Sequence, residues 1–293
     1  MNIGVFGTGV VGRTIAKKLT VLGHEVLLGT RDVENTLSKS DPDGYGNPPF
    51  QTWYSANEQV RLLTFSEVAR SSELIFNCTN GQSSLEVLKA AGDLSDKILI
   101  DLANPLDFSE GIPPSLNPVN TDSLGEQIQR AFPQLKVVKT LNTMNAEIMV
   151  NPAKIEGNHD VFVSGNDEPS KLKVKEVLRS FGWQDDRIID LGDISTARGT
   201  EMMLPVWLRL WNALGTADFN FHIQKNDYVA DFLIDFTQLI MDFMHHRLMK
   251  SVRTPEISNN QSLGSRYLGG GYIRCRVSSD KPPKYSMFLS TWL

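Results

Sequence analysis

Short apolar runs alternate with amphipathic stretches through most of the chain, and the alternation predicts strands and helices in turn. Ile3–Phe6 reads as a first strand. Ile15, Ala16, Leu19 and Leu22 fall at helical spacing, so a helix is expected over Arg13–Leu22, ended by Gly23. His24–Gly29 reads as the second strand, finishing at Thr30-Arg31-Asp32. A Ser, Asp, Pro and Gly-rich loop over 38–49 then leads into a short helix carrying Phe50, Trp53 and Tyr54. Leu62–Thr64, Glu73–Cys78 and the near-continuously apolar Lys97–Leu102 read as further strands. Between them lie a helix start at Ser66–Ala69 and a helix Leu85–Ala91 capped by Ser83 or Ser84. Helix Ser123–Ala131 with strand Leu135–Leu141, and strand Asp160–Gly165 with helix Pro169–Phe181, add two more units. The fold class expected is α/β, a doubly wound Rossmann-type parallel sheet with both faces covered.

The pattern changes near Ser195. Ala197–Trp211 is densely apolar at helical spacing and is expected to bend or break at Pro205. Its Met and Trp side chains are better explained as core packing than as a cofactor box. Phe219–Gln224 looks strand-like. Beyond Lys225, Val229, Phe232, Leu233, Phe236, Leu239, Ile240, Phe243 and Met244 form an apolar stripe, which predicts a helix over Tyr228–Met249. Past Thr254 the chain is rich in Ser, Asn, Gly and Pro, and no structure is assigned there. The expected division is therefore a dinucleotide-binding domain over 1–150, a small, mostly helical C-terminal domain closing the cleft over 151–225, and an extension over 226–293.

The glycines supply the first chemistry. Gly7, Gly9 and Gly12 stand between the first strand and the first helix, where a dinucleotide-binding turn belongs. The first permits a tight turn, the second lets the backbone approach a pyrophosphate, and the third lets helix and sheet pack closely. The helix N-terminus would face the phosphates, with Thr8, Val10 and Val11 completing the turn. At the end of the second strand an NAD site would place a carboxylate for the ribose hydroxyl. Thr30 and Arg31 stand there instead, a hydroxyl beside a guanidinium that suits a 2′-phosphate. NADP(H) is the cofactor expected; the bland alternative leaves Arg31 as a solvated partner of Asp32.

Composition narrows the partners. The chain has 293 residues, 41% hydrophobic and 22% charged, enough for a large core, and a formal net charge of -5. No Lys/Arg-rich run appears, which argues against a nucleic-acid partner. Cys78 and Cys275 imply no disulfide framework, and no leader or membrane span is read, so a cytoplasmic protein is expected. No nucleophile elbow or clustered metal ligands are found, and no metal is expected; His245 and His246 are neighbours on a helix and do not face each other. No catalytic side chain is assigned, because hydride transfer between two bound rings needs alignment and exclusion of water rather than an acid or base. Asn104 and Asn142 follow strands at the carboxyl edge, where ligands bind, and either line the cofactor or brace local turns. Cys78 is read as a structural cysteine, and Arg198 with Glu201 as a helix-internal pair.

Taken together, Gly7–Gly12, Gly29-Thr30-Arg31, Ile100–Leu106, Lys139–Thr143 and Arg198–Glu201 resemble the NADPH-dependent oxidoreductases of the deazaflavin coenzyme F420 and their Rossmann relatives. The resemblance runs over 1–163 and again over 182–221, with a more distant likeness to the reductase domain of membrane ferric reductases. It implies that the glycine turn holds the pyrophosphate and the Thr-Arg pair the 2′-phosphate. Loops at Thr79-Asn80-Gly81, Asn104-Pro105 and Asn142–Asn145 would wrap the nicotinamide. It implies a reductase passing a hydride between NADP(H) and a small-molecule partner, F420 or a flavin. The segment after Lys225 departs from the family pattern and is read as an oligomerisation arm, a lid or sequence without function. Its apolar stripe must be buried on its own domain or on a second subunit, and a dimer contact is the expectation favoured. A non-enzymatic NADP(H) sensor is the competing expectation.

Overall fold

The computed structural model describes residues 1–42 and 48–226. The first apolar run forms β1 (Asn2–Phe6), and the glycine turn leads into α1 (Val10–Val21), which buries Ile15, Ala16 and Leu19. Next come β2 (Glu25–Thr30), α2 (Val33–Leu37), α3 (Phe50–Ser55) and β3 (Arg61–Thr64). Helix α4 (Phe65–Ser71) starts on a capping box made by Thr64 and Glu67. Strand β4 (Leu74–Asn77), α5 (Gly81–Ala91) and β5 (Ile98–Asp101) follow. A hairpin of two short strands, β6 (Leu106–Asp107) and β7 (Ser115–Leu116), precedes α6 (Leu124–Ala131), β8 (Lys136–Thr140) and α7 (Ala146–Val150). The unit closes with β9 (Val161–Gly165), α8 (Glu168–Phe181), β10 (Ile188–Gly192), α9 (Ala197–Met202) and α10 (Leu204–Leu214).

The sheet order is β10-β9-β8-β5-β4-β1-β2-β3. From β3 to β8 every neighbouring pair is parallel, so the six strands carry the order that binds dinucleotides where β1 meets β4. Helices cover both faces. Ile15 and Leu19 of α1, Ile148 of α7 and Val174 and Phe181 of α8 share one apolar cluster; Val68 of α4, Leu88 of α5 and Ile128 of α6 share the other.

Three expectations change. Strand β9 runs antiparallel to β8 and carries β10 with it, so the residues after 150 extend the first sheet, and 1–225 form one compact unit without a boundary at 150. Phe219–Gln224 forms no strand: Asp160 N donates to Phe221 O, but Asn220 Nδ2 and Ile223 N are taken by Asp160's own carbonyl and carboxylate, which replaces a ladder with side-chain bonding. Helix α5 begins earlier than expected because Asn80, not Ser83 or Ser84, caps it. The expected break at Pro205 is present, with Met202 ending α9 and Pro205 in the first turn of α10. The predicted helix Tyr228–Met249, His245, His246 and Cys275 lie outside the described residues.

Candidate functional site

The glycine turn has the shape its sequence implies. Gly7 takes φ +110°, and a Cβ there would stand 2.7 Å from Cys78 O. A Cβ on Gly12 would stand 1.9 Å from Gly7 O, so α1 packs too closely on the turn for any side chain. Gly9 differs, because a Cβ there would meet nothing within 4 Å among the described residues. It is the N-cap of α1, it offers no capping side chain, and the first turn carries no acid. The amides of the first turn are thus left to an outside acceptor, with the positive end of the helix behind them. Val10 is exposed, while Val11 packs on the core and contributes only its backbone. Thr8 O accepts from Arg13 Nε at 3.0 Å, and a second bond from Arg13 Nη1 to Pro48 O fixes the chain beside the turn. A cavity of about 450 Å³ bordered by Thr8, Gly9, Arg13, Lys39 and Phe50 opens there. These features fit a dinucleotide pyrophosphate.

The end of β2 matches its expectation only in part. Arg31 is exposed and pairs with Glu86 of α5 at 3.2 Å. Thr30 is buried, and its hydroxyl lies 2.7 Å from that of Thr36. Because Thr36 Oγ1 donates to Asp32 O, Thr30 must donate to Thr36 and has no proton for a phosphate. Any 2′-phosphate recognition therefore falls to Arg31. Thr79 is likewise turned inward, donating to Asn77 Oδ1 at 2.6 Å, and Asn80 accepts from Gln82 N as the cap of α5.

Asn104 and Asn142 meet across the carboxyl edge. Asn104 Nδ2 donates to Asn142 O at 2.8 Å and Asn142 Nδ2 donates to Asn104 Oδ1 at 3.0 Å, so the two loops brace each other. Just before Asn142, Leu141 holds φ +63°, unusual for a branched residue, and this turn aims the chain toward Asn104. Gly81 supports the same edge: a Cβ there would stand 2.0 Å from Asn104 O.

Beneath these loops lies a charged group that the sequence did not reveal as a unit. Lys139 Nζ sits 2.8 Å from Asp101 Oδ2 and 2.7 Å from Glu201 Oε1, with all three side chains buried. It also donates to Ala103 O. Burial alone would lower the Lys139 ammonium, but the Asp101 and Glu201 carboxylates outweigh it and hold the group above the ordinary lysine range. Glu201 in turn accepts from Leu124 N and Gly125 N at the start of α6. The expected Arg198–Glu201 pair is absent, because the two side chains leave α9 in different directions: Arg198 binds Glu126, with Nε 2.7 Å from Oε2. A lysine and an aspartate inside otherwise apolar central strands were the available signal, since such charges need partners. Cys78 is a poor nucleophile, because burial and the Asp101 carboxylate push its thiol well above the ordinary range. Among the described residues no three His, Cys, Asp or Glu side chains group as metal ligands, and no helix is long and apolar enough to cross a membrane.

Comparison with known proteins agrees with this geometry. Residues 2–105 match the family described as NADP oxidoreductase, coenzyme F420-dependent. The crystal structure of a candidate F420-dependent NADP-reductase from Arthrobacter sp. FB24 is 59% identical, covers 76% of this chain and 99% of its own, and superposes with a TM-score of 0.73. Rat metalloreductase STEAP3 is 28% identical over 70% of this chain, which spans only 38% of that protein's length. A reductive aminase from Aspergillus terreus, solved with NADPH and ethyl-5-oxohexanoate, shares the fold at 16% identity and a TM-score of 0.50, over 88% of this chain and 80% of its own. The uncapped glycine turn thus lies within a match to one oxidoreductase family, and the 59% identity carries that match far beyond residue 105: the chain belongs to the coenzyme F420-dependent NADP oxidoreductases.

Proposed function

We propose that this protein passes a hydride between NADP(H) and a planar deazaflavin of the F420 type. The observation that carries the proposal is the 59% identity over 99% of the Arthrobacter reductase chain. NADPH, when bound, supplies the hydride; the protein supplies binding, alignment and exclusion of water. Gly9 and the first amides of α1 would hold the pyrophosphate and Arg31 the 2′-phosphate. The braced Asn104 and Asn142 loops would fix the nicotinamide edge.

A surface for the second ring adjoins those loops. The β6–β7 hairpin follows Asn104-Pro105 directly, and Asn145 Nδ2 donates to Ala217 O, which ties the loop after β8 to the chain leaving α10. Between hairpin and α10 lies a groove of about 580 Å³ lined by Ile112, Pro113, Leu208 and Trp211. Its apolar walls suit a flat heterocycle. The reaction would run in the cytosol, and a homodimer built through residues 228–249 belongs to the same proposal.

The test is NADPH oxidation by the purified full chain, followed by absorbance with F420, FMN, a ferric chelate and a cyclic imine in parallel. Turnover with F420 is expected. Tight NADPH binding with no acceptor reduced would favour an NADP(H) sensor, and turnover with FMN, the ferric chelate or the imine alone would replace the deazaflavin.

A further inference from the structure

The contact between Arg31 and Glu86 has a position that an ordinary surface pair lacks. Arg31 follows β2, Glu86 lies on α5 after β4, and β1 with its glycine turn runs between those strands. Their contact, Arg31 Nη2 to Glu86 Oε1 at 3.2 Å, therefore links the two elements that flank the dinucleotide crevice. Both side chains are about 70% exposed (70% and 73%), so the pair contributes little to stability and is easily opened. Arg31 is also poorly supported as a phosphate ligand. Asp32 and Glu34 stand beside it in sequence, and the Thr30 hydroxyl is committed to Thr36.

Resting on the assignment of Arg31 to the 2′-phosphate, we infer that Glu86 is a specificity-determining residue that competes with that phosphate for the Arg31 guanidinium. A 2′-phosphate must displace the Glu86 carboxylate or share the guanidinium with it, and two anions on one cation repel. NADH carries no 2′-phosphate and meets no such competition. Glu86 thus holds NADPH affinity below what Arg31 alone would give, which favours release of the oxidised cofactor.

The experiment is fluorescence titration of the full chain with NADPH and with NADH, for the wild type, Glu86→Gln, Arg31→Ala and the double variant. Glu86→Gln keeps shape and removes charge. It should tighten NADPH about three- to fivefold and leave NADH within about twofold, the scale of an exposed ion pair. The gain should vanish in the Arg31→Ala background and shrink in high salt. Unchanged NADPH affinity in Glu86→Gln, or equal weakening for both cofactors as a ribose contact would give, overturns the competition while leaving the cofactor assignment intact. An unchanged NADPH-to-NADH ratio in Arg31→Ala overturns the 2′-phosphate assignment and the competition with it.

Discussion

Helices α1 and α6 begin at the same end of the sheet and on opposite faces, yet their first turns are completed in opposite ways. At α6, Ser123 caps Glu126 N, and the Glu201 carboxylate accepts from Leu124 N and Gly125 N, so an internal anion occupies the helix end. At α1, Gly9 offers no side chain, no acid stands in the first turn, and no described residue stands within 4 Å of where a Gly9 Cβ would be. The same backbone physics gives a structural joint in one place and, in the other, an open helix end suited to an outside anion. What separates them is whether the chain supplies the negative charge itself. Glu201 does so for α6, and Lys139 balances that charge.

Breaking the internal joint should have the largest effect. Glu201→Ala leaves Asp101 as the one carboxylate paired with Lys139 and strips two buried amides of their acceptor; removing one partner of a buried pair costs about 3–5 kcal/mol. Urea unfolding should show a loss of that size, a large part of a typical stability of about 5–15 kcal/mol. The external site should respond the other way. Gly9→Val is expected to keep the fold, because nothing among the described residues opposes the new Cβ, while calorimetry is expected to show NADPH binding lost. Retained binding would mean the pyrophosphate lies elsewhere.

Arg31→Ala comes next. The loss of a charge-assisted contact, worth about 1.5–3 kcal/mol, should weaken NADPH by roughly 10- to 100-fold and leave NADH nearly unchanged. The smallest effect concerns pH at α6. Arg198 holds the Glu126 carboxyl below the usual range, chiefly through its hydrogen bond. A depressed carboxylate stabilises the fold above its ordinary pKa and loses that contribution as pH falls through the lowered value. Arg198→Ala should therefore lower Tm slightly at neutral pH, with the difference from wild type fading under acid.

Much of this contrast was legible in the sequence on one side only. Gly7, Gly9 and Gly12 at their fixed spacing point to an anion-binding turn because Gly7 and Gly12 answer local steric demands and Gly9 leaves the helix end open. Apolar runs such as Ile98–Asp101 marked the central strands for the same local reason. The α6 joint is different. Ser123 is a readable cap, but the Glu201 carboxylate that takes the Leu124 amide lies 77 residues further along the chain, and periodicity along α9 points Glu201 to Arg198 instead. The direction of the Thr30 hydroxyl is not legible, because it depends on Thr36, which only the fold of α2 brings near. The αL turn at Leu141 and the hairpin at β6–β7 are too short to leave a pattern, and β10 joins the sheet through a tertiary contact with β9.

The most direct measurement of the α1–α6 contrast is amide chemical-shift mapping of the isotopically labelled full chain with added NADPH. The amides of Val10, Val11 and Gly12 should shift strongly on saturation, and those of Leu124 and Gly125 should stay in place. Unmoved amides at the start of α1, or equal shifts at α6, would contradict the account.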